Sequence, residues 1–283
     1  MRPVLLFILF CSGVSAQSVA APANRAIVDH VTVELLSEQS SFRPGTHALV
    51  GIAIKHDPEW HTYWTNPGDS GLPTRLEWQL PNHYRAGEIT WPAPQRFDLG
   101  GLFNFGYDNA VLLPVAIDVP PSAEPKSTAT LIVNAKWLMC SREICVPGRA
   151  TLQLDVPVRA DEPESNEKVA TLFAQARART PTPAAWRGNA MVSGDSVRIE
   201  LAGGELHDTA GVDVFPVAAK LLNNAPPRVT SNGAKLLIEA QRSDYFEAAP
   251  AVLQLVLTQK TGNGPMRAWQ VEVPWRMAEK AAD

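Results

Sequence analysis

Two cysteines with four residues between them are the part of this sequence best suited to chemistry. Cys140 and Cys145 flank the turn-forming segment 141–144, Ser-Arg-Glu-Ile. In the chain-entropy model, a disulfide across so short a loop contributes only about 2 kcal/mol to stability. Stapling is therefore a weak reason for the pair, and a bridge that constrains so little indicates either chemistry, such as reversible thiol–disulfide exchange, or a strained hairpin. A structural disulfide at the neck of a hairpin is the alternative that the residues alone leave open.

The N-terminus predicts export, which decides whether these thiols can oxidise. Arg2 precedes a short apolar run over residues 3–11, and the small residues that end at Ala16 fit a signal-peptide cleavage site. The run is shorter than the roughly 20 residues that a membrane span needs. Cys11 then leaves with the signal peptide 1–16, and the bulky Phe10 before it argues against a lipoprotein signal. In the oxidising compartment reached by export, disulfides form and persist.

An aromatic cluster lies between residues 59 and 71. It contains Trp60, His61, Tyr63 and Trp64 and is followed by a Pro-Gly turn. His61 and Tyr63 are candidates for an aromatic wall beside a reactive centre. The alternative is that the aromatic residues pack in the core and at the edge of a β-sandwich, because aromatic side chains dominate core burial.

A second aromatic segment, residues 91–109, has the composition of a movable flap. Prolines stiffen its start, two glycines loosen its middle, and Phe97 and Tyr107 supply aromatic side chains. The alternative is an ordinary surface loop pinned by these two aromatic residues. The wider span Leu80–Asn109 shows no strand pattern and is predicted to be one long loop, a kind that is often functional.

The rest of the chain predicts an all-β protein with two immunoglobulin-like antiparallel β-sandwich domains joined by a short helical linker. Short alternating or apolar segments between turn residues are typical of such sandwiches. Residues 17–160 form the first predicted domain, 161–183 the linker and 184–283 the second domain. Within the linker, Glu164–Arg179 has one apolar face at helical spacing. Strands are predicted at His30–Ser37, His47–His56, Thr74–Gln79, Ala110–Asp118, Ala129–Leu138, Ala150–Val158, Ala190–Val192, Ser196–Leu201, Gly211–Pro216, Lys235–Ala240, Ala251–Thr258 and Trp269–Val273.

Other chemistries lack their residue patterns. The six histidines are scattered without metal-ligand spacing, so we expect no metal and no cofactor. A copper(I) site from Met139 and the two cysteines is the conceivable exception, since soft ligands suit that ion. The segment Gly68–Gly71 lacks the G-x-S-x-G spacing of a hydrolase nucleophile. A net charge of −4, from 25 basic and 29 acidic side chains without a basic cluster, argues against nucleic-acid binding.

Several motifs occur in an order typical of one protein family. They are Trp60-His61-Thr62-Tyr63-Trp64, Pro67 to Gly71, Trp91-Pro92, Arg96-Phe97, Tyr107, Leu113-Pro114-Val115 and Cys140 with Cys145-Val146-Pro147. Over roughly Val28 to Val158 the chain resembles the periplasmic N-terminal domain of the DsbD family, most closely its ScsB-like branch. The resemblance implies that Cys140 and Cys145 are the redox cysteines, with Cys145 attacking first. It also matches Phe97 to a cap aromatic residue and Tyr63 to an active-site tyrosine, with His61 and Tyr107 as their support.

The resemblance further implies a periplasmic protein-disulfide reductase or exchange component. Its partners are then a membrane-embedded thiol electron transporter, which supplies the electrons, and periplasmic thioredoxin-fold proteins, which receive them. The four-residue spacing of the cysteines is one shorter than in the best-known members. We expect the electrons to come from a separate membrane protein, since the family's membrane and C-terminal thioredoxin domains have no counterpart here. A non-catalytic interaction module with a structural disulfide is the competing prediction.

Overall fold

The computed structural model of the protein describes residues 23–277, except residues 205, 207, 234, 261, 263 and 265. The predicted signal peptide, with Cys11, lies outside the described residues. No helix within the described part of the chain is long and apolar enough to cross a membrane.

The first half of the chain forms a sandwich of two β-sheets. Its strands are β1 (Arg25–Val28), β2 (Val31–Ser37), β3 (His47–His56), β4 (His61–Gly68), β5 (Arg75–Gln79), β6 (Arg85–Ile89), β7 (Gln95–Asp98), β8 (Phe103–Asp108), β9 (Ala110–Asp118), β10 (Thr128–Cys140) and β11 (Cys145–Pro157). One sheet has the order β1-β2-β3-β9-β6, and the other has the order β11-β10-β4-β8-β7, with β5 also paired to β10. All of these pairings are antiparallel.

Strand β10 shows how the sequence pattern builds the core of this first sandwich. Leu131, Val133, Ala135, Trp137 and Met139 are buried, while the residues that alternate with them are partly or fully exposed. Successive side chains of a strand point to opposite faces, so this alternation places one face of β10 against the core.

The predicted loop Leu80–Asn109 is wrong, because this span contains β6, β7 and β8. Pro92 and Pro94 are buried in the connection between β6 and β7, and the paired glycines form the turn between β7 and β8. Proline and glycine are typical of turns and loops, so the sequence pattern did not predict these three short strands. Strand β4 also went unpredicted because polar residues such as His61 and Asn66 alternate with its aromatic ones. Three further strands were likewise not predicted: β1 and, in the second half of the chain, β12 (Thr182–Pro183) and β16 (Arg228–Asn232).

Helix α1 spans Ala170–Arg179 and is shorter than the predicted Glu164–Arg179. The residues before it pair with the first sandwich instead: Ser40 donates its N–H to the carbonyl of Glu164, and Asn166 donates to that of Glu38. Backbone groups used in this way cannot take part in helical hydrogen bonds. The helix packs its buried Phe173 against the first sandwich, so the linker is attached to that sandwich along its length.

The second half of the chain forms a second β-rich unit with a core of its own. Its strands are β12 (Thr182–Pro183), β13 (Arg187–Ser193), β14 (Ser196–Ala202), β15 (Val212–Pro216), β16 (Arg228–Asn232), β17 (Lys235–Gln241), β18 (Val252–Gln259) and β19 (Arg267–Met277). They are ordered β15-β18-β19-β13-β14-β17-β16, with β12 beside β19. Strand β19 pairs in parallel with β12 and β13, and these two pairings are exceptions to the otherwise antiparallel pattern. This unit is called the second sandwich below.

The two sandwiches share a packed interface. Phe215, on β15, is buried in the core of the first sandwich, where its ring meets Phe105 edge-on at 5.1 Å and Trp64 at 6.2 Å between centroids. Asn66 donates its amide N–H to the carbonyl of Pro216 over 2.7 Å. The core of the first sandwich therefore continues into the second one.

Candidate thiol–disulfide site

The two cysteines face each other across the neck of the β10–β11 hairpin and form a disulfide. The Cys140 and Cys145 Sγ atoms are 2.02 Å apart, and the Cα atoms are 4.1 Å apart. The turn is closed by a hydrogen bond of 2.9 Å from the N–H of Ser141 to the carbonyl of Ile144. The predicted hairpin with facing cysteines is confirmed.

The two cysteines differ in their access to solvent. Cys145 is exposed, whereas Cys140 is 0% exposed. On β10 the alternation of buried and exposed residues predicts an accessible side chain at this position, so other groups must cover Cys140. Cys145 Sγ is therefore the sulfur of this pair that a molecule in the solvent can reach, and access is one factor that governs thiol–disulfide exchange.

Tyr63 is the group that covers the Cys140 sulfur. Its hydroxyl donates a hydrogen bond of 2.7 Å to Cys140 Sγ and lies 3.9 Å from Cys145 Sγ. Burial raises the pKa of Tyr63 to about 12, so the hydroxyl remains protonated and available as a donor at neutral pH. Gly71 packs against the Tyr63 ring, where a Cβ at Gly71 would lie 2.2 Å from a ring carbon. The ring thus contacts this glycine, and its hydroxyl contacts the disulfide.

His61 lies directly opposite Cys140 in the pairing of β4 with β10. Its ring meets Tyr63 edge-on at 5.2 Å and stacks on Phe97 at 4.7 Å between centroids. Its Nε2 atom is buried and makes no hydrogen bond. Burial lowers the pKa of His61, and the nearby Asp108 carboxylate opposes that shift only in part. A neutral imidazole therefore separates the disulfide from Phe97.

Phe97 reaches the site from the β7–β8 hairpin, residues 95–108, at the edge of the sheet. The turn of this hairpin contains Gly100 and Gly101, both at positive φ, and their surroundings are open. A cleft of about 330 Å³ lies between the hairpin, the start of β4 and the turn after Cys140. Phe97 and the cysteine turn therefore share one surface cleft.

The structure does not bring Tyr107 to the disulfide. Tyr107 is opposite Thr62 in the pairing of β4 with β8, so the two share a face, whereas His61 and Tyr63 lie on the other face. The Tyr107 hydroxyl donates to the carbonyl of Pro92 over 2.6 Å, and burial raises its pKa well above the ordinary value. This residue belongs to the core of the first sandwich.

Three contributors to the site were not singled out from the sequence. Gly71 supports Tyr63, Asp108 lies opposite His61, and His56 holds the intervening Thr62 through a 2.9 Å hydrogen bond between Nε2 and Oγ1. Recognising β4 as a strand would have placed His61 and Tyr63 on one face, because they are two residues apart.

Metal binding finds no support in the described residues, among which no three or more His, Cys, Asp or Glu side chains are grouped as a metal site. The sulfurs considered for copper(I) are bonded to each other in this structure. The arrangement suits exchange at sulfur.

Similarity to known proteins covers the cysteine region and, at the level of fold, most of the chain. Residues 32–157 match the family model of the N-terminal domain of the thiol:disulfide interchange protein DsbD. Among curated proteins no sequence matches the chain. The N-terminal periplasmic domain of ScsB from Proteus mirabilis has a similar structure, with a TM-score of 0.66 and 20% identity over 90% of this chain and 99% of that one. A protein of unknown function from Porphyromonas gingivalis W83 reaches a TM-score of only 0.23, at 10% identity over 86% of this chain and 99% of its own.

The structural similarity to the ScsB domain shows the immunoglobulin-like fold, and the sequence match places the disulfide within a recognised domain. Cys140 and Cys145 both lie inside the matched segment. Residues 32–157 of this chain therefore belong to the family of DsbD N-terminal domains, which are thiol–disulfide interchange modules.

Proposed function

We propose that this protein relays reducing equivalents by dithiol/disulfide exchange, from a membrane-embedded thiol electron transporter to exported thioredoxin-fold proteins. One observation carries the proposal: in a DsbD-type domain, Cys145 is exposed while Cys140 is buried beneath Tyr63. A purely structural bridge does not require this asymmetry. Exchange does, because one sulfur has to meet partners while the other resolves the intermediate.

The electron supply begins at Cys145. A thiolate of the reduced membrane partner attacks Cys145 Sγ, the Cys140–Cys145 bond breaks, and its electron pair remains on Cys140 as a thiolate. The Tyr63 hydroxyl already donates to that sulfur and stabilises the developing charge. A second thiolate of the partner then attacks the mixed disulfide, which releases Cys145 as a thiolate and leaves the partner oxidised.

Electron delivery runs through the same atoms in reverse order. The Cys145 thiolate attacks the disulfide of a thioredoxin-fold protein and forms a mixed disulfide, while one partner sulfur leaves as a thiolate. Cys140 then attacks Cys145 Sγ, which releases the partner's second sulfur and restores the Cys140–Cys145 bond. The partner gains two electrons and two protons in total, and Cys140 remains inaccessible to bulky molecules throughout.

The periplasm is the compartment in which we place this reaction. The predicted signal peptide, with cleavage after Ala16, and the periplasmic origin named for the similar ScsB domain support this location. Phe97 and His61 act there as a cap over the Cys140 side of the disulfide.

The relay is tested by trapping. In a Cys140→Ser variant the resolving thiol is missing, so Cys145 should accumulate as a mixed disulfide with exported thioredoxin-fold proteins, identified by mass spectrometry. The matched Cys145→Ser variant should trap nothing, because its remaining cysteine is buried. The relay is contradicted if no such species forms and the midpoint potential lies well below about −300 mV, as for structural disulfides.

Replacing Tyr63 with phenylalanine should slow exchange about tenfold or more. The change removes the donor to Cys140, and a hydrogen bond to a charged group contributes about 1.5–3 kcal/mol. The pKa of Cys140 should rise, because its thiolate loses stabilisation. Stopped-flow exchange rates and the pH profile of alkylation at Cys140 measure both effects. Tyr84→Phe, before β6 in the other sheet, is the control, and equal rates in all three proteins would remove Tyr63 from the mechanism.

A further inference from the structure

Strand β7, which carries Phe97, has little support from its own sheet. Strand β7 is the last strand of that sheet and pairs with β8 alone. The turn that follows β7 is open. Beyond the adjacent residues, no described atom lies within 4 Å of the position that a Cβ would take at Gly100 or Gly101. An edge strand of this kind opens readily unless another element holds it.

The second sandwich holds this strand through Arg96. The Arg96 guanidinium forms a bidentate ion pair with the Asp213 carboxylate. Nη2 lies 2.6 Å from Oδ1 and Nε lies 3.2 Å from Oδ2. Nη2 also donates to the carbonyl of Val214 over 2.7 Å, and Nη1 donates to the carbonyl of Asn224. All three nitrogens of Arg96 therefore bind acceptors on the second sandwich.

Burial distinguishes this contact from a surface ion pair, because loss of one partner leaves the other charge buried and unpaired. The Arg96 side chain is 7% exposed and that of Asp213 is 31% exposed. The guanidinium lies over the rings of Phe105, at 4.8 Å, and Phe215, at 5.1 Å. A guanidinium that is held by a bidentate carboxylate and packed on two aromatic rings has one preferred orientation.

A second contact holds the other strand of the hairpin. Asn224 donates its side-chain N–H to Asp69 Oδ1 over 2.8 Å, and Asp69 Oδ2 accepts the N–H of Phe103 over 2.7 Å. Asn224 thus connects to β7 through its carbonyl and to β8 through its side chain. The second sandwich therefore contacts β7, which carries Phe97, directly and contacts β8 through Asp69.

Arg96 and Phe97 are neighbours on β7, so their side chains point to opposite faces. Phe97 lies on His61, on the side of the disulfide, while Arg96 lies on the second sandwich. We propose that Arg96 is a positioning residue, and that its clamp on Asp213 keeps the hairpin closed over the Cys140 side of the site. The second sandwich then serves as the fixed support of the cap. The purpose of this clamp rests on the proposed exchange function, because a closed cap protects the resolving thiol from stray oxidants.

The test measures how often Cys140 becomes accessible. In a reduced Cys145→Ser background, iodoacetamide alkylation of Cys140 is followed by peptide mass spectrometry. Asp213→Asn should raise this rate about tenfold, equivalent to about 1.4 kcal/mol. Arg96→Lys should also raise the rate while keeping the charge and the fold. The single nitrogen of a lysine side chain cannot bind all the acceptors that Nε, Nη1 and Nη2 of Arg96 bind. Asp195→Asn breaks an ion pair with Arg242 elsewhere in the second sandwich and should leave the rate unchanged.

A double-mutant cycle separates positioning from general destabilisation. If Arg96 acts through the cap residue, Asp213→Asn should lose its effect in a Phe97→Ala background, since no cap side chain remains to be displaced. Equal acceleration in both backgrounds would overturn the proposal, as would unchanged rates in folded Asp213→Asn and Arg96→Lys proteins. Alkylation needs no partner protein, so failure of the relay in the trapping experiment leaves this outcome independent.

Discussion

Phe215→Ala should lower the free energy of unfolding by about 3–5 kcal/mol, the usual cost of deleting a buried phenylalanine ring. The ring is 1% exposed and fills the space between Trp64 and Phe105 at the interface of the two sandwiches. Its loss leaves a cavity that rigid β-sheets on both sides cannot close. Because Arg96 also stacks on this ring, the same change weakens the clamp on the β7–β8 hairpin.

Urea unfolding monitored by tryptophan fluorescence measures this change, with the first transition taken as the readout because two sandwiches need not unfold together. Tyr245→Ala is the matched control, since this ring is 74% exposed and its removal should change stability by less than about 0.5 kcal/mol. A loss below about 1 kcal/mol for Phe215→Ala would show that the interface contributes little, and the clamp would then lack its hydrophobic support.

The elements predicted with correct bounds are those with an uninterrupted pattern. His47–His56 and Ala110–Asp118 are β3 and β9 as predicted, because each is a mostly apolar run between turn residues. The β7 and β8 strands were missed because they are short and the hairpin turn contains two glycines. Local propensity is a weak guide for an edge hairpin whose stability comes from contacts with distant residues.

The residues of the candidate site were also predicted only where the sequence signal is local. The facing cysteines followed from their spacing, and Tyr63 followed from the resemblance to DsbD, because both signals are local. Tyr107 was grouped with them because the side a residue faces is unknown until its strand and register are known. Arg96 appeared only as part of a motif, since its partner Asp213 is 117 residues away and no local pattern reports such a pair.

Acidification should destabilise the fold through His56, which lies beneath the site. His56 is buried and holds Thr62, the residue between His61 and Tyr63, through its Nε2 atom. Burial lowers its pKa from 6.5 to about 4, with the nearby His61 acting in the same direction and the Asn109 carbonyl against it. Between pH 6.5 and about 4, the imidazole of His56 is therefore protonated in the unfolded chain and neutral in the folded chain.

The sign and size of the effect follow from this difference in proton binding. The stability contribution is complete above pH 6.5 and is lost as the pH falls through the window from 6.5 to about 4. The fall of the His56 pKa from 6.5 to about 4 corresponds to about 3 kcal/mol at the acidic end of the window. Urea unfolding at several pH values should therefore show falling stability across the window, and a folded His56→Gln variant should show a flatter profile. Exposed His83 provides the control as His83→Asn, which tolerates the positive φ at that position and should keep the original profile. If His56→Gln and the unsubstituted protein lose stability in parallel, the buried imidazole is not the group that senses acid, and β4 is held at the disulfide by other means.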